Sequence, residues 1–281
     1  MTEPARRIDA HHHLWDLTRR PQPWLTGPRL APIDRSFALA ELEPLLDAHG
    51  VDATVVVQSS SSLDETRELL EVAAGSGGRI AGVVGWADLT DPGLADVLAS
   101  LTGPLVGIRH QVQDEADPWW LARAAVRRGL ATVAAAGLAY DLLVTPRELP
   151  AALETAAALP ELRFVLDHAA KPPVASGGWE PWAAQVGAMA ALPNVVCKLS
   201  GLVTEADWSG WAPADLLPYA GHVLAAFGPH RVLFGSDWPV CTLAASYGEV
   251  LALARSATSD LSPAESAQVF GANAAAVYGL G

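Results

Sequence analysis

The chain has 281 residues, 51% of them hydrophobic and 17% charged, with 18 Lys and Arg against 31 Asp and Glu for a formal net charge of −13. That is globular composition, which excludes a disordered or collagen-like chain. With only two lysines, Lys171 and Lys198, the chain is also a poor match to nucleic acid, whose phosphates need clustered cations.

Two cysteines, Cys197 and Cys241, are too few for a disulfide framework. The segment from Met1 to Arg7 has no apolar signal stretch, and no run reaches the ~18 apolar residues of a membrane span. The expectation is a soluble cytoplasmic protein with no membrane and no nucleic-acid partner, its self-association left open.

Short apolar runs alternate with longer capped stretches, the rhythm of β/α units on a parallel sheet. Strands are predicted over residues 8–13, 53–58, 80–87, 105–109, 138–143, 163–168, 194–200 and 231–237. Val55-Val56-Val57 and Phe164-Val165-Leu166 are apolar throughout, as strands buried on both faces should be. Between strands, Asp91-Pro92, Asp117-Pro118 and Thr145-Pro146 each predict an N-cap before a first-turn proline, and Ser262-Pro263-Ala264-Glu265 adds a capping box. Gly50, Gly75 and Gly129 predict helix ends.

Eight such units predict one (β/α)8 TIM-type barrel domain over residues 1–281, with a long first loop and an extra C-terminal helix. An open doubly wound sheet would carry a Gly-rich turn after its first strand, where this chain has His13-Leu14-Trp15-Asp16.

In such a barrel the active site gathers at the C-terminal strand ends. Those ends carry His11-His12-His13, Arg109-His110, Asp167-His168, Lys198 and Ser236-Asp237, with Asp141 on the fifth strand. His11 and His13 fall on one side of a strand and His12 on the other. Two imidazoles at that spacing, with His168 and Asp237 from other strands, offer a divalent metal N and O donors; a hydrogen-bonded polar layer without metal is the plainer alternative.

Asp237, where the last strand breaks, is a candidate to take a proton from water, against a role as a turn cap. Lys198 either neutralises a carboxylate such as Asp141 or faces an anionic oxygen. Arg109-His110 offers a fork for a carboxylate or sugar hydroxyls, against an inter-strand salt bridge. His49, His222 and His230 lie away from the strand ends, and Cys197 and Cys241 read as packing residues. All ten tryptophans, Trp86 and Trp238 among them, follow a strand's C-terminal end, where flat rings suit the C–H faces of a sugar and the rim of a pocket, some of them simply packing loops onto the barrel.

The order of Ile8-Asp9-Ala10-His11-His12-His13-Leu14-Trp15-Asp16, Gly82-Val83-Val84-Gly85-Trp86, Gly107-Ile108-Arg109-His110, Val165-Leu166-Asp167-His168, Cys197-Lys198-Leu199-Ser200-Gly201 and Phe234-Gly235-Ser236-Asp237-Trp238-Pro239 resembles the amidohydrolase-related sugar lactonases, the L-fuconolactonase group. The similarity runs on to Phe270-Gly271-Ala272-Asn273-Ala274.

The resemblance implies a distorted barrel that hydrolyses the ring ester of a sugar lactone in sugar acid catabolism. It implies catalytic roles for His11, His13, His168 and Asp237, and a single divalent ion, zinc first, held by His11, His13 and Asp237, or no metal. Two-metal members use a strand-four lysine or glutamate and a strand-five histidine, where this chain has Arg109-His110 and Asp141, so a binuclear centre is not expected.

In the mechanism so implied, Asp237 is general base, and His168, Arg109, His110 or Lys198 stabilises the charge on oxygen. Arg109, His110, Asp141, Lys198, Trp86 and Trp238 are the expected substrate contacts. A metal-dependent decarboxylase on the same barrel and a non-catalytic sugar-binding protein are the competing readings.

Overall fold

The apolar runs form β1 (Ile8–His12), β2 (Ala53–Val57), β3 (Ile80–Gly85), β4 (Leu105–His110), β5 (Ala139–Leu142), β6 (Phe164–Leu166), β7 (Val195–Leu199) and β8 (Val232–Phe234), one parallel sheet in chain order. The structure is a computed structural model that describes residues 6–281, so Met1 to Ala5, part of the segment read for a leader, lie outside the described residues. All strands but β4 end short of the predicted residue. The chain leaves the ladder there, and the departing residues line the mouth.

The seam from β8 back to β1 is closed by a bridge between His12 and Trp238 and by the Asp237 N–H donating to the His11 carbonyl at 2.8 Å. The result is the (β/α)8 barrel expected.

Around it run α1 (Leu39–His49), α2 (Leu63–Gly75), α3 (Leu94–Ser100), α4 (Ala124–Ala135), α5 (Leu149–Ala158), α6 (Trp182–Ala190), α7 (Pro213–Phe227), α8 (Tyr247–Ala257), α9 (Pro263–Ala267) and α10 (Asn273–Tyr278). Gly50 ends α1 with a left-handed φ of 65°, and Ser262 caps α9 with Glu265 completing its box, both as predicted. Three other starts fall later than their caps. The Asp91 and Asp117 carboxylates take the N–H groups of Gly93 and Trp119 in local turns, and Thr145 binds Glu148, so α3, α4 and α5 begin several residues beyond.

Gly129 is no terminator. It lies inside α4 where a Cβ would stand 2.1 Å from the Leu89 carbonyl oxygen, so its role is close approach rather than helix ending.

Two apolar layers result from strand alternation. Val56, Val83, Ile108, Phe164, Val195 and Val232 face outward onto the helices. Ala10, Val55, Val84, Ala139, Val165 and Leu233 fill the barrel, and Ala274 and Tyr278 of α10 join them, so the last helix plugs the end where the strands begin. No helix of the described residues is long and apolar enough to cross a membrane.

Candidate active site

The first histidines owe their direction to a β-bulge. Register between β1 and β2 shifts between Asp9 and His12, so Ala10 and His11 both point into the barrel. Backbone donors freed by the bulge find Asp9, whose Oδ1 accepts from His11 N–H at 3.1 Å and from Ser236 N–H at 2.8 Å. Beyond the bulge alternation resumes as predicted. His12 turns outward to Thr54 Oγ1 at 2.9 Å, and His13 turns inward with its Nδ1 donating to the Val57 carbonyl at 2.8 Å.

His168 arrives differently. β6 ends at Leu166, Asp167 points to the axis, and the chain then passes through left-handed conformations from His168 (φ 52°) to Lys171 (φ 52°), which swings the imidazole to the mouth. Its Nδ1 meets Ser200 Oγ at 2.9 Å, and its ring rests against Gly201, where a Cβ would stand 2.5 Å from Nδ1.

Asp237 is also left-handed, with φ 59°, and it is the point of convergence. Its Oδ1 lies 3.4 Å from His13 Nε2, 3.8 Å from His11 Nε2 and 4.0 Å from His168 Nε2, all four groups being at least nine-tenths buried. Burial would raise the Asp237 carboxyl, but His168 and His13 outweigh it and hold the group below its ordinary value. Burial lowers His168 to about 4 against the pull of Asp237, and burial with the Lys198 ammonium keeps His11 well below its ordinary value. His11 and His168 are therefore neutral imidazoles beside an ionised carboxylate.

That donor set fits a metal ion. Four-coordinate zinc holds N and O ligands at about 2.0–2.2 Å, which separates any two of them by roughly 3.3–3.5 Å. His11 Nε2 lies 3.2 Å from His13 Nε2, and the other two gaps of the triad are 3.4 and 3.8 Å. The Nδ1 proton of His13, fixed on the Val57 carbonyl, leaves its Nε2 lone pair facing the triad, as a ligating histidine requires. A second grouping, His11, Asp167 and His168, is less free because Lys198 already ion-pairs with Asp167 Oδ1 at 3.0 Å and Arg109 hydrogen-bonds its Oδ2.

Three expected substrate contacts turn out to be elsewhere. Lys198 and Asp141 are fully buried beneath the histidines and paired at 2.5 Å, which is the neutralising alternative rather than a site-facing one. Arg109 bonds Asp167 Oδ2 at 3.0 Å and the Gln58 carbonyl, the inter-strand alternative, although its NH1 also stands 3.3 Å from His11 Nε2. Two carboxylates thus balance two cations in one layer. Lys198, His11 and Arg109 hold Asp167 well below the ordinary carboxylate range despite its burial, whereas burial pushes Asp141 up to about 6.

His110 lies at the rim, stacked on Trp120 at 4.2 Å between centroids. The Trp86 indole N–H donates to its Nδ1 at 3.0 Å, and its Nε2 then donates to Glu115 at 2.9 Å. Trp238 is buried edge-on against Phe37, so it packs the first loop onto the barrel. His49 stacks on Tyr247 and His222 bonds the Ala183 carbonyl, away from the cluster. Sequence reasoning left Asp9, Asp167, Ser200 and Tyr278 without roles. For Asp167 and Ser200 the available signal was adjacency to strand ends already singled out.

The amidohydrolase family model matches residues 8–280. An L-fucono-1,5-lactonase of Burkholderia multivorans is 44% identical over 98% of this chain and 97% of its own length. A crystal structure of an amidohydrolase from Burkholderia multivorans with bound zinc is 43% identical, with a TM-score of 0.93 over 99% of this chain and 100% of that one. A 5-carboxyvanillate decarboxylase of Sphingomonas paucimobilis, at 14% identity and a TM-score of 0.68, shares the fold alone. With His11, His13, His168 and Asp237 gathered at the mouth of a barrel that the family model spans almost end to end, this chain belongs to the amidohydrolase family.

Proposed function

We propose that this chain, acting as one barrel domain, is a lactonase that opens the ring ester of an aldonolactone of the L-fucono-1,5-lactone kind to the free sugar acid. The observation that carries the reading is the convergence of three buried imidazoles, His11, His13 and His168, on the ionised Asp237. The likeness of the whole chain to an L-fucono-1,5-lactonase supports it.

Asp237 accepts the proton of the attacking water and returns it to the departing ring oxygen. With the Ser200 hydroxyl donating to Nδ1, His168 carries its proton on Nε2 and presents it to the carbonyl oxygen as negative charge builds there. His11, His13 and Asp237 would hold a divalent ion, whose Lewis acidity polarises an oxygen it touches. Trp86 and His110, locked by their hydrogen bond and by Trp120, form a rigid edge suited to the C–H faces of the sugar. The decarboxylase reading has no support beyond the fold.

The test is a pH-indicator assay over γ- and δ-aldonolactones, with and without chelator and zinc. Saturable acid release from a subset of them is expected. Binding without acid release would overturn the reading in favour of a sugar-binding protein, and CO2 release from carboxylated aromatics would overturn it in favour of a decarboxylase.

A further inference from the structure

Tyr278 is the last residue of α10, and its hydroxyl reaches the barrel interior. It donates to Asp141, lying 2.9 Å from Oδ1 and 2.8 Å from Oδ2. In an inner cluster otherwise made of Ile, Ala, Val and Leu, a phenylalanine would fill the same volume, so packing does not account for the oxygen.

We propose that Tyr278 and Asp141 are positioning residues for His11, acting through Lys198. The Lys198 ammonium hydrogen-bonds Asp141 Oδ2 at 2.5 Å and ion-pairs with Asp167 Oδ1 at 3.0 Å; His11 Nδ1, 3.1 Å from Nζ, also stands 3.4 Å from Asp167 Oδ1, the carboxylate placed to face an Nδ1 proton when Nε2 serves as a ligand. The place of the ammonium, and with it that of His11, is therefore set by the two carboxylates. Asp141 is fixed in turn by Tyr278.

His11 is a rigid ring, and what holds Nδ1 also aims Nε2 at His13 and Asp237. A relay of three buried side chains therefore runs from α10 at one end of the barrel to the cluster at the other. Removing the tyrosine hydroxyl leaves Asp141 with Lys198 as its remaining side-chain partner, which draws the ammonium away from His11.

The experiment compares wild type with Tyr278→Phe and Asp141→Asn by three readouts. In protein labelled with 15N on its histidines, the His11 Nδ1 resonance should shift in both variants while the other seven histidines keep theirs. Zinc affinity, measured by competition with a chelator, should fall about tenfold, the lower end of what loss of a supporting partner causes. The lactonase kcat should fall by about the same factor with KM unchanged.

Only the kinetic arm rests on the proposed lactonase function. If no lactone is hydrolysed, the resonance and zinc arms still decide this proposal. A Tyr278→Phe variant that loses thermal stability but keeps the wild-type His11 resonance and zinc affinity would overturn it. So would failure of both variants to fold, which would assign the pair a structural role alone.

Discussion

Gly201→Ala should disable the site by displacing His168, without replacing any side chain that carries the chemistry. Gly201 has a left-handed φ of +64°, which costs an alanine roughly 1–2 kcal/mol. Its Cβ would stand 2.5 Å from His168 Nδ1 and 2.8 Å from Cγ, whereas ordinary contact begins at 3.4 Å, so the ring must move by about 3.4 − 2.5 = 0.9 Å. Overpacking of this kind costs a further ~1–3 kcal/mol, giving a total of about 2–5 kcal/mol. The same movement breaks the 2.9 Å bond to Ser200 and takes Nε2 off its line to Asp237. A displacement near 1 Å in a catalytic group costs about 10²-fold in kcat.

Gly137→Ala is the control, since Gly137 has φ +74° with nothing within 4 Å of its Cβ position and should show the backbone cost alone. Urea denaturation and lactonase kinetics on the two variants separate the terms. If Gly201→Ala loses no more stability than Gly137→Ala and keeps kcat within twofold, the account of how His168 is held is wrong.

Because Asp237 titrates below its ordinary value and His168 at about 4, kcat/KM should stay flat down to about pH 5. An acid limb near pH 6.5 in the pH profile would contradict that assignment. Asp9 is raised by burial from 3.8 to about 6, so the folded state holds its proton more tightly than the unfolded chain. Wild type should therefore lose stability as pH rises from about 4 to 6, by up to about 3 kcal/mol from this group, and Asp9→Asn should lose correspondingly less across that window. Gly129→Ala drives a methyl into the Leu89 carbonyl and should destabilise by at least about 2 kcal/mol in urea titrations, with KM unchanged.

Much of the strand pattern was legible because strands such as β2, β6 and β8 are buried on both faces and read as apolar runs, and the parity of His11 and His13 follows from the two-residue period of a strand. What parity cannot foretell is the bulge at Asp9, which reverses the sense of β1 relative to its own first residues. Nor does any local rule announce a run of left-handed residues at His168-Ala169-Ala170-Lys171, none of them glycine. Gly129 shows the same limit from the other side, since one residue type serves both helix ends and close approach.

The choice for Lys198 between a carboxylate partner and the open site was a question of distance across the barrel. It is settled by Asp141 on β5 and Asp167 after β6. Tyr278 was beyond reach for the same reason, 137 residues from the carboxylate it serves.

The most direct measurement is the rate of acid release from L-fucono-1,5-lactone by wild type and by Asp237→Asn, each shown to be folded by circular dichroism. The account predicts saturable hydrolysis by wild type and a loss of at least about 10²-fold in kcat for the variant, the scale of removing a general base. Equal rates for the two proteins would contradict it.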